Sequence, residues 1–326
     1  MGEEKVAPKW AAGLISCCSD NRLKFGNFFR WFPRGTCLTQ SAPAEMQKTI
    51  QHEASVSGSG LFTGEKVSLK ICPSPPDSGI VFQRTDLPGN PEIPALLSFV
   101  REAPRCTRLA TEKTSILMVE HLLSALYAYG IDNARIEVEG PELPAGDGSA
   151  QIFVDMIEKT GCTVQPSLRK FVRISQPIYW SEGDVHLIAL PAQEFRLSYT
   201  MHYPHSPLLR SQYYSFALQS LRYKAEIAPC RTFSLYEEIV PFIEKGIIKG
   251  GGLENALVIQ GGRILNPEGA RFEDEMVRHK ILDLIGDLAL IGAPLLAHVI
   301  AVRSGHSSNV AFAKTLSKTL KLERSN

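Results

Sequence analysis

The stretch Ser115-Ile-Leu-Met-Val-Glu-His-Leu-Leu-Ser-Ala-Leu-Tyr-Ala-Tyr-Gly130-Ile-Asp-Asn-Ala-Arg-Ile-Glu-Val-Glu139 changes structural period part-way along. Its first part predicts a helix over 115–129, with Leu117, Leu122, Leu123, Ala125 and Leu126 as the apolar face and Gly130 as the stop. Ala134–Glu139 then alternates apolar and polar residues, as a half-buried strand does. Working outward, Val67–Cys72 and Gly79–Gln83 also read as strands, and Ala54–Gly64 as a glycine-rich turn between strand-like runs. Ala150–Thr160 reads as a second helix. Strand patterning restarts at Arg169–Ile178, after Pro166-Ser-Leu168, and continues through His186–Leu190 and Phe195–Met201. Helices follow at 234–245 and 272–291, then a strand at 298–302 and a helix at 308–322. Each half runs strands, helix, strand, helix. The strands come in consecutive runs, not in strict alternation with helices, so the expected class is α+β, with the two halves related at fold level. The expected boundaries are a leader at 1–46, a first domain at 47–167 and a second at 168–326. A chain beginning at Thr49 is expected to fold and stay active.

Composition narrows the function classes. The chain has 326 residues, with 35 Lys+Arg against 34 Asp+Glu, and a net charge of +1. That gives no electrostatic footprint for nucleic acid. A hydrophobic fraction of 44% and a charged fraction of 21% exclude a disordered or collagen-like chain. No apolar run approaches the roughly 20 residues needed to span a bilayer. The cysteines are odd in number, scattered and without a C-x-x-C pair, which argues against a disulfide framework or a cysteine zinc knuckle. The leader differs from the rest: Arg22 to Arg34 carries four positive charges, five aromatics and no acid. That is the character of an organelle-import segment, although Glu3 and Glu4 fit one poorly.

The richest chemistry lies in Arg271-Phe-Glu-Asp-Glu-Met-Val-Arg-His-Lys-Ile-Leu-Asp-Leu-Ile-Gly-Asp-Leu288. On a helix, His279, Asp283 and Asp287 fall at i, i+4 and i+8 on one face. An imidazole and a carboxylate one turn apart can reach one cation, although the same spacing also occurs on solvated charged helices. Glu120-His121 sits within an apolar helix, where two adjacent ionisable residues are costly unless paired or ligating. Ser304-Gly-His306 directly follows the apolar strand His298–Val302. Together the three segments can supply two imidazoles and a carboxylate, the donor set of a catalytic zinc with one position open, and leave a Glu and a His for proton transfer. Other motifs are missing: no His-Glu-x-x-His, no Lys-Ser/Thr after Gly250-Gly-Gly252, no nucleophile elbow and no dinucleotide fingerprint.

Val119-Glu-His-Leu-Leu-Ser-Ala-Leu126, Asp147-Gly-Ser-Ala150, Arg231-Thr-Phe233, the long 271–287 motif and Ser304-Gly-His306 occur in that order. This set resembles the UDP-3-O-acyl-N-acetylglucosamine deacetylases, the zinc enzymes of lipid A biosynthesis, from about Thr49 to Leu322. The resemblance implies two similar α+β domains packed face to face with the site between them. It implies one zinc ion on His121, His279 and Asp283, with Glu120 as general base. His306 becomes the general acid or electrostatic partner, oriented by Asp287, and Thr232 contacts the metal-side oxygen or the developing oxyanion. Phe233 packs on the substrate, and Lys280 and Cys106 lie at the site edge. A small insert near 239–256 shapes an acyl passage lined by Ile239, Ile248 and Ala256. The implied substrate is a UDP-linked acylated amino sugar, with Lys280 and Arg278 as candidates for its diphosphate. With the leader, the resemblance implies a plant-type organellar member, mitochondrial before other organelles.

Two positions depart from the family pattern. Phe62 replaces a histidine in the first glycine-rich turn, and Val185 stands near the place of a lysine. Both are substrate-side positions. They motivate an alternative, a zinc amidohydrolase acting on a different acylated amino sugar. A non-catalytic metal-binding scaffold is the other alternative, and the presence of Glu120 and His306 argues against it.

Overall fold

The structure, a computed structural model, describes residues 45–324. Its framework is two sheets of like topology. In the first, the spatial order is Ala54–Ser59, Lys66–Pro73, Ala134–Glu139, Ile80–Arg84 and Glu92–Pro94. In the second it is Ile178–Glu182, Val185–Pro191, Leu295–Val302, Arg196–Tyr203 and Arg210–Ala217. Along these orders each sheet is antiparallel except where its third and fourth strands run parallel, and in the second sheet Val172–Arg173 adds a further parallel pairing to Leu295–Val302. In each, the central strand is the last to enter, and it arrives from a helix, as a parallel neighbour requires a crossover. Helix α1 (Glu120–Ala128) feeds Ala134–Glu139, and α2 (Gln151–Thr160) follows it. In the second half come α3 (Ser220–Glu226), α4 (Tyr236–Glu244) and α5 (Glu275–Ala289); α5 feeds Leu295–Val302, and α6 (His306–Arg324) follows it. The mixed α+β class is as expected, and α5 corresponds to α1.

Alternation decides which face each strand buries. Val67, Leu69 and Ile71 point into the core with Ala134, Ile136 and Val138. The other face of the same strands carries Lys70, Arg135 and Glu137, with Lys70 and Glu137 paired at 2.7 Å. In the second sheet Leu197, Tyr199 and Met201 share the buried face with Val299 and Ala301.

The helix expected at 115–129 divides. Ser115–Leu117 is a strand, and α1 begins only at Glu120. Between them Met118 has φ 65, a left-handed conformation that no α-helix can pass through. The segment expected to be helical at 234–245 likewise starts as a strand, Phe233–Leu235, paired with Leu257–Gln260.

Helices α1 and α5 meet at Gly286. A Cβ there would lie 2.1 Å from the Glu120 carbonyl oxygen, so only glycine permits this separation. The first turn of α1 is thereby laid directly on the middle of α5.

Met46–Ile50 pairs antiparallel with Cys162–Leu168. The buried Gln47 accepts hydrogen bonds from the Asp77 main chain and the Asn133 amide, both at 2.9 Å, and donates to Asp77 at 2.9 Å. Glu45 pairs with Arg169 at 3.0 Å. The folded body therefore includes Glu45–Lys48, and a chain starting at Thr49 lacks three of the five residues of this strand. The import reading of the leader falls on residues outside those described.

Two outcomes follow from these contacts. A chain beginning at Pro43 keeps the whole of this strand and serves as the reference. One beginning at Thr49 should lose at least about 2 kcal/mol, because donors that relied on Gln47 are left unpaired; equal melting temperatures for the two would contradict the role given to this strand. Gly286→Ala should destabilise by several kcal/mol, of the order seen when a core is overpacked, measurable by denaturant unfolding. A variant as stable as the parent would show that α1 and α5 can separate freely.

Candidate active site

The ionisable residues of α1 and α5 converge where the two helices touch. His279, Asp283 and Asp287 share one face of α5, and all three are buried. Glu120 and His121 open α1 and are buried too. His306 opens α6, just after Leu295–Val302 ends. Arg303, with φ 56, turns the chain into that helix.

His121, His279 and Asp283 form a group whose ligand atoms all lie within 4.8 Å of one another. The two Nε2 atoms stand 3.7 Å and 3.2 Å from the same oxygen, Asp283 Oδ1. That oxygen is buried and receives no hydrogen bond. His279 donates from Nδ1 to the Cys230 carbonyl at 3.0 Å, which leaves Nε2 with its lone pair facing the group. A buried carboxylate oxygen without a donor, ringed by imidazole nitrogens, is the arrangement that a bound cation satisfies. The residues present fit a metal ion.

Around this group stand Glu120, His306 and Asp287. Glu120 Oε2 accepts from the Thr107 main-chain N–H at 3.1 Å, which turns Oε1 toward His306 Nε2, 3.8 Å away. His306 Nδ1 bonds Asp287 Oδ2 at 2.9 Å. Burial, reinforced by the Asp287 and Asp283 charges and opposed by His306, pushes the Glu120 carboxyl up to about 7. Burial opposes the His306 imidazolium, but Asp287, Asp283 and Glu120 outweigh it and push its pKa up to about 10. Burial also opposes the Asp283 carboxylate, yet His279, Lys280 and His306 hold its pKa well below the usual range. Near neutral pH the arrangement thus offers a carboxylate able to accept a proton beside an imidazolium able to give one.

Comparison with known proteins shows the family. Residues 47–318 match the family profile described as LpxC, UDP-3-O-acyl N-acetylglycosamine deacetylase. The chain belongs to this family. It is 45% identical over 277 residues to a UDP-3-O-acyl-N-acetylglucosamine deacetylase of Chlamydia pneumoniae, covering 85% of this chain and 98% of that one. It is 43% identical over 274 residues to the protein of that name from Chlamydia caviae, covering 84% and 98%. The counterpart in Chlamydia trachomatis serovar L2 is 42% identical over 278 residues, covering 85% and 97%.

In this family member the centre opens into a cavity of about 630 Å³, lined by Glu120, His121, His279, Asp283 and His306 at one end. Thr232, Phe233, Lys280, Ile239, Ile248 and Ala256 all line it. Lys280 bonds Asp283 Oδ2 at 2.8 Å and lies 5.8 Å from the Phe233 ring centre. Its wall at 246–252 docks on the first glycine-rich turn. The Lys249 and Gly250 N–H groups donate to the carbonyls of Phe62 and Leu61 at 3.0 and 3.1 Å. A Cβ on Gly250 would lie 2.0 Å from the Gly60 carbonyl oxygen. Phe62 lines the cavity, whereas Val185, half-buried at the start of its strand, does not. Cys106 lines an adjoining cavity and contributes nothing to the three-ligand group.

Arg278, a candidate for a diphosphate, is not among the residues lining this cavity. It pairs with Asp274 at 2.6 Å and is sandwiched over Tyr214 and Phe272, 4.3 and 4.5 Å from their ring centres. Its side chain lies off the face that carries His279 and Asp283, one residue from His279 being about 100° around the helix.

Several supporting residues lie in or beside the quoted motifs, but the sequence assigned them no role. The fully buried Glu275 accepts from both the main chain and the guanidinium of Arg231 at 2.9 Å, and so ties the 230–233 segment to the start of α5. That clamp sets both the Cys230 carbonyl used by His279 and the place of Thr232. Asp147 anchors the facing turn, bonding Ser149 and pairing with Arg271 at 2.7 Å. Thr107 and Asn309 complete the surroundings of Asp287.

Metal analysis checks the ligand set. His279→Ala should abolish stoichiometric metal, and Cys106→Ser should retain it. Full metal occupancy in His279→Ala would overturn the assignment.

Proposed function

We propose that the chain hydrolyses the acetamide of a UDP-3-O-acyl-N-acetylglucosamine to the free amine and acetate, the deacetylation for which its relatives are named, as an early step of lipid A biosynthesis. The resident cofactor in this reading is one zinc ion on His121, His279 and Asp283, since two imidazoles and one carboxylate are a donor set zinc favours. The observation that carries the reading is the juxtaposition of this ligand group with Glu120 and His306 at the head of a largely apolar cavity. When bound, the cation acts as a Lewis acid toward the acetamide carbonyl and makes attacking water more acidic.

The chain's own groups do the rest. Glu120 accepts a proton from the attacking water through Oε1, the oxygen that Thr107 leaves free. As the carbon–nitrogen bond breaks, His306 donates from Nε2 to the departing nitrogen, and Asp287 holds the ring through Nδ1. Thr232 faces the developing oxyanion. Lys280, kept protonated by Asp283, offers a positive charge to the substrate. The apolar wall of Ile239, Ile248 and Ala256 accommodates the acyl chain. Phe62, buried in the cavity wall, favours a second reading in which the same machinery acts on a different acylated amino sugar.

The productive state has Glu120 ionised and His306 protonated. Activity should therefore fall on the acid side as Glu120 gains a proton and on the alkaline side as His306 loses one. A cation beside both groups draws both limbs to lower pH, and the two limbs belong to the pair. The test is acetate release from the UDP-3-O-acyl sugar by zinc-loaded protein, run beside other acylated amino sugars. Glu120→Gln should keep its metal and lose on the order of 10²–10⁴ in rate. Near-normal turnover by Glu120→Gln would remove the base from the scheme, and faster release from another sugar would move the substrate.

A further inference from the structure

Thr107 is buried in the segment that leads into the strand Arg108–Ala110, on the first half of the chain. It touches the supports of both proton-handling groups. Its main-chain N–H donates to Glu120 Oε2 at 3.1 Å. Its hydroxyl donates to Asp287 Oδ1 at 2.5 Å and stands 3.3 Å from His306 Nδ1. Asp287 Oδ2 accepts from His306 and from the Asn309 amide, both at 2.9 Å. Among the described residues no other group donates to Asp287 Oδ1.

We infer that Thr107 is a positioning residue that fixes Glu120 and His306 relative to each other for the deacetylation; the inference rests on the function proposed above. A carboxylate turns easily about its Cβ–Cγ bond when one oxygen is free. With Thr107 on Oδ1, and His306 and Asn309 on Oδ2, both oxygens of Asp287 are held and the imidazole it carries is held with them. The same residue selects, through its N–H, which Glu120 oxygen is left for chemistry. Base and acid are thus referenced to one rigid point, although Glu120 lies on α1, Asp287 on α5 and His306 at the start of α6. Removing the hydroxyl leaves Oδ1 buried without a donor, which favours rotation of the carboxylate and release of the ring. Outer partners of this kind affect activity by about 10–100-fold, and small displacements of catalytic groups have effects of similar size.

The experiment compares Thr107→Val, which keeps the shape and the main-chain N–H, with Thr107→Ser, which keeps the hydroxyl. In zinc-loaded protein, Thr107→Val should lower kcat on the order of 10–100-fold with KM changed less than about threefold, and zinc content should be unchanged. Thr107→Ser should recover to within about threefold of the parent. In an Asp287→Ala background, Thr107→Val should add little further loss, because the hydroxyl acts through that carboxylate. A second readout is independent of turnover. With nitrogen-15-labelled histidine, the His306 Nδ1–H resonance, assigned by its absence in His306→Ala, should exchange faster with solvent in Thr107→Val but not in Thr107→Ser. Parent-like kcat and exchange in Thr107→Val would overturn the inference, as would Thr107→Ser being as impaired as Thr107→Val, or full multiplicative loss in the double variant. If the parent protein releases no acetate, the proposed function fails, while the exchange comparison still decides the role of Thr107.

Discussion

The close approach of α1 to α5 at Gly286 is the constraint on which the site depends. Each half supplies one helix that crosses into the centre of its own sheet. Alone, α1 offers a glutamate and a histidine, and α5 offers a histidine and two aspartates. Neither set holds a cation and transfers a proton. With no side chain at position 286, the Glu120 carbonyl can rest where a Cβ would otherwise stand. The five ionisable groups then share one buried volume, with His121 and His279 ring centres 5.0 Å apart.

Such a volume is unfavourable by itself. Glu120, Asp283 and Asp287 are buried together, and burial raises the free energy of every charged form. The structure offsets this unevenly. Asp287 is surrounded by donors from Thr107, His306 and Asn309. Asp283 has Lys280 on one oxygen and nothing on the other. Glu120 has a single main-chain donor, and burial pushes its pKa up to about 7. Three chemically similar carboxylates thus stand in three different environments, which is what the proposed function asks of them: an anchor for an imidazole, a ligand for a cation and a base.

Much of this was legible in the sequence, and for a physical reason. The adjacent Glu120 and His121 stood out inside an apolar helix, whereas His279, Asp283 and Asp287 shared a spacing also found on solvated helices and became specific only with the other motifs. The doubled order of strands, helix, strand and helix was also readable, because its long strands alternate clearly. What was not legible was everything that acts through the main chain or through a single contact. The Cys230 carbonyl, the Thr107 N–H and the absent side chain of Gly286 leave no pattern. Met118 hid the true start of α1, since a left-handed methionine has no compositional mark. Strands of two or three residues, such as Val100–Arg101 and Arg108–Ala110, are too short to show a period. Nor could the sequence show where Arg278 goes: it stands one residue from His279, yet packs against Tyr214 and Phe272.

The central claim is that two imidazoles and a carboxylate, brought from the two halves, bind one metal ion. X-ray absorption at the metal edge of the purified, loaded protein reads that shell directly. The account predicts nitrogen and oxygen neighbours at about 2.0–2.2 Å, with outer scattering from two imidazoles and no sulfur. A sulfur neighbour at about 2.3 Å, or scattering from a single imidazole, would contradict it.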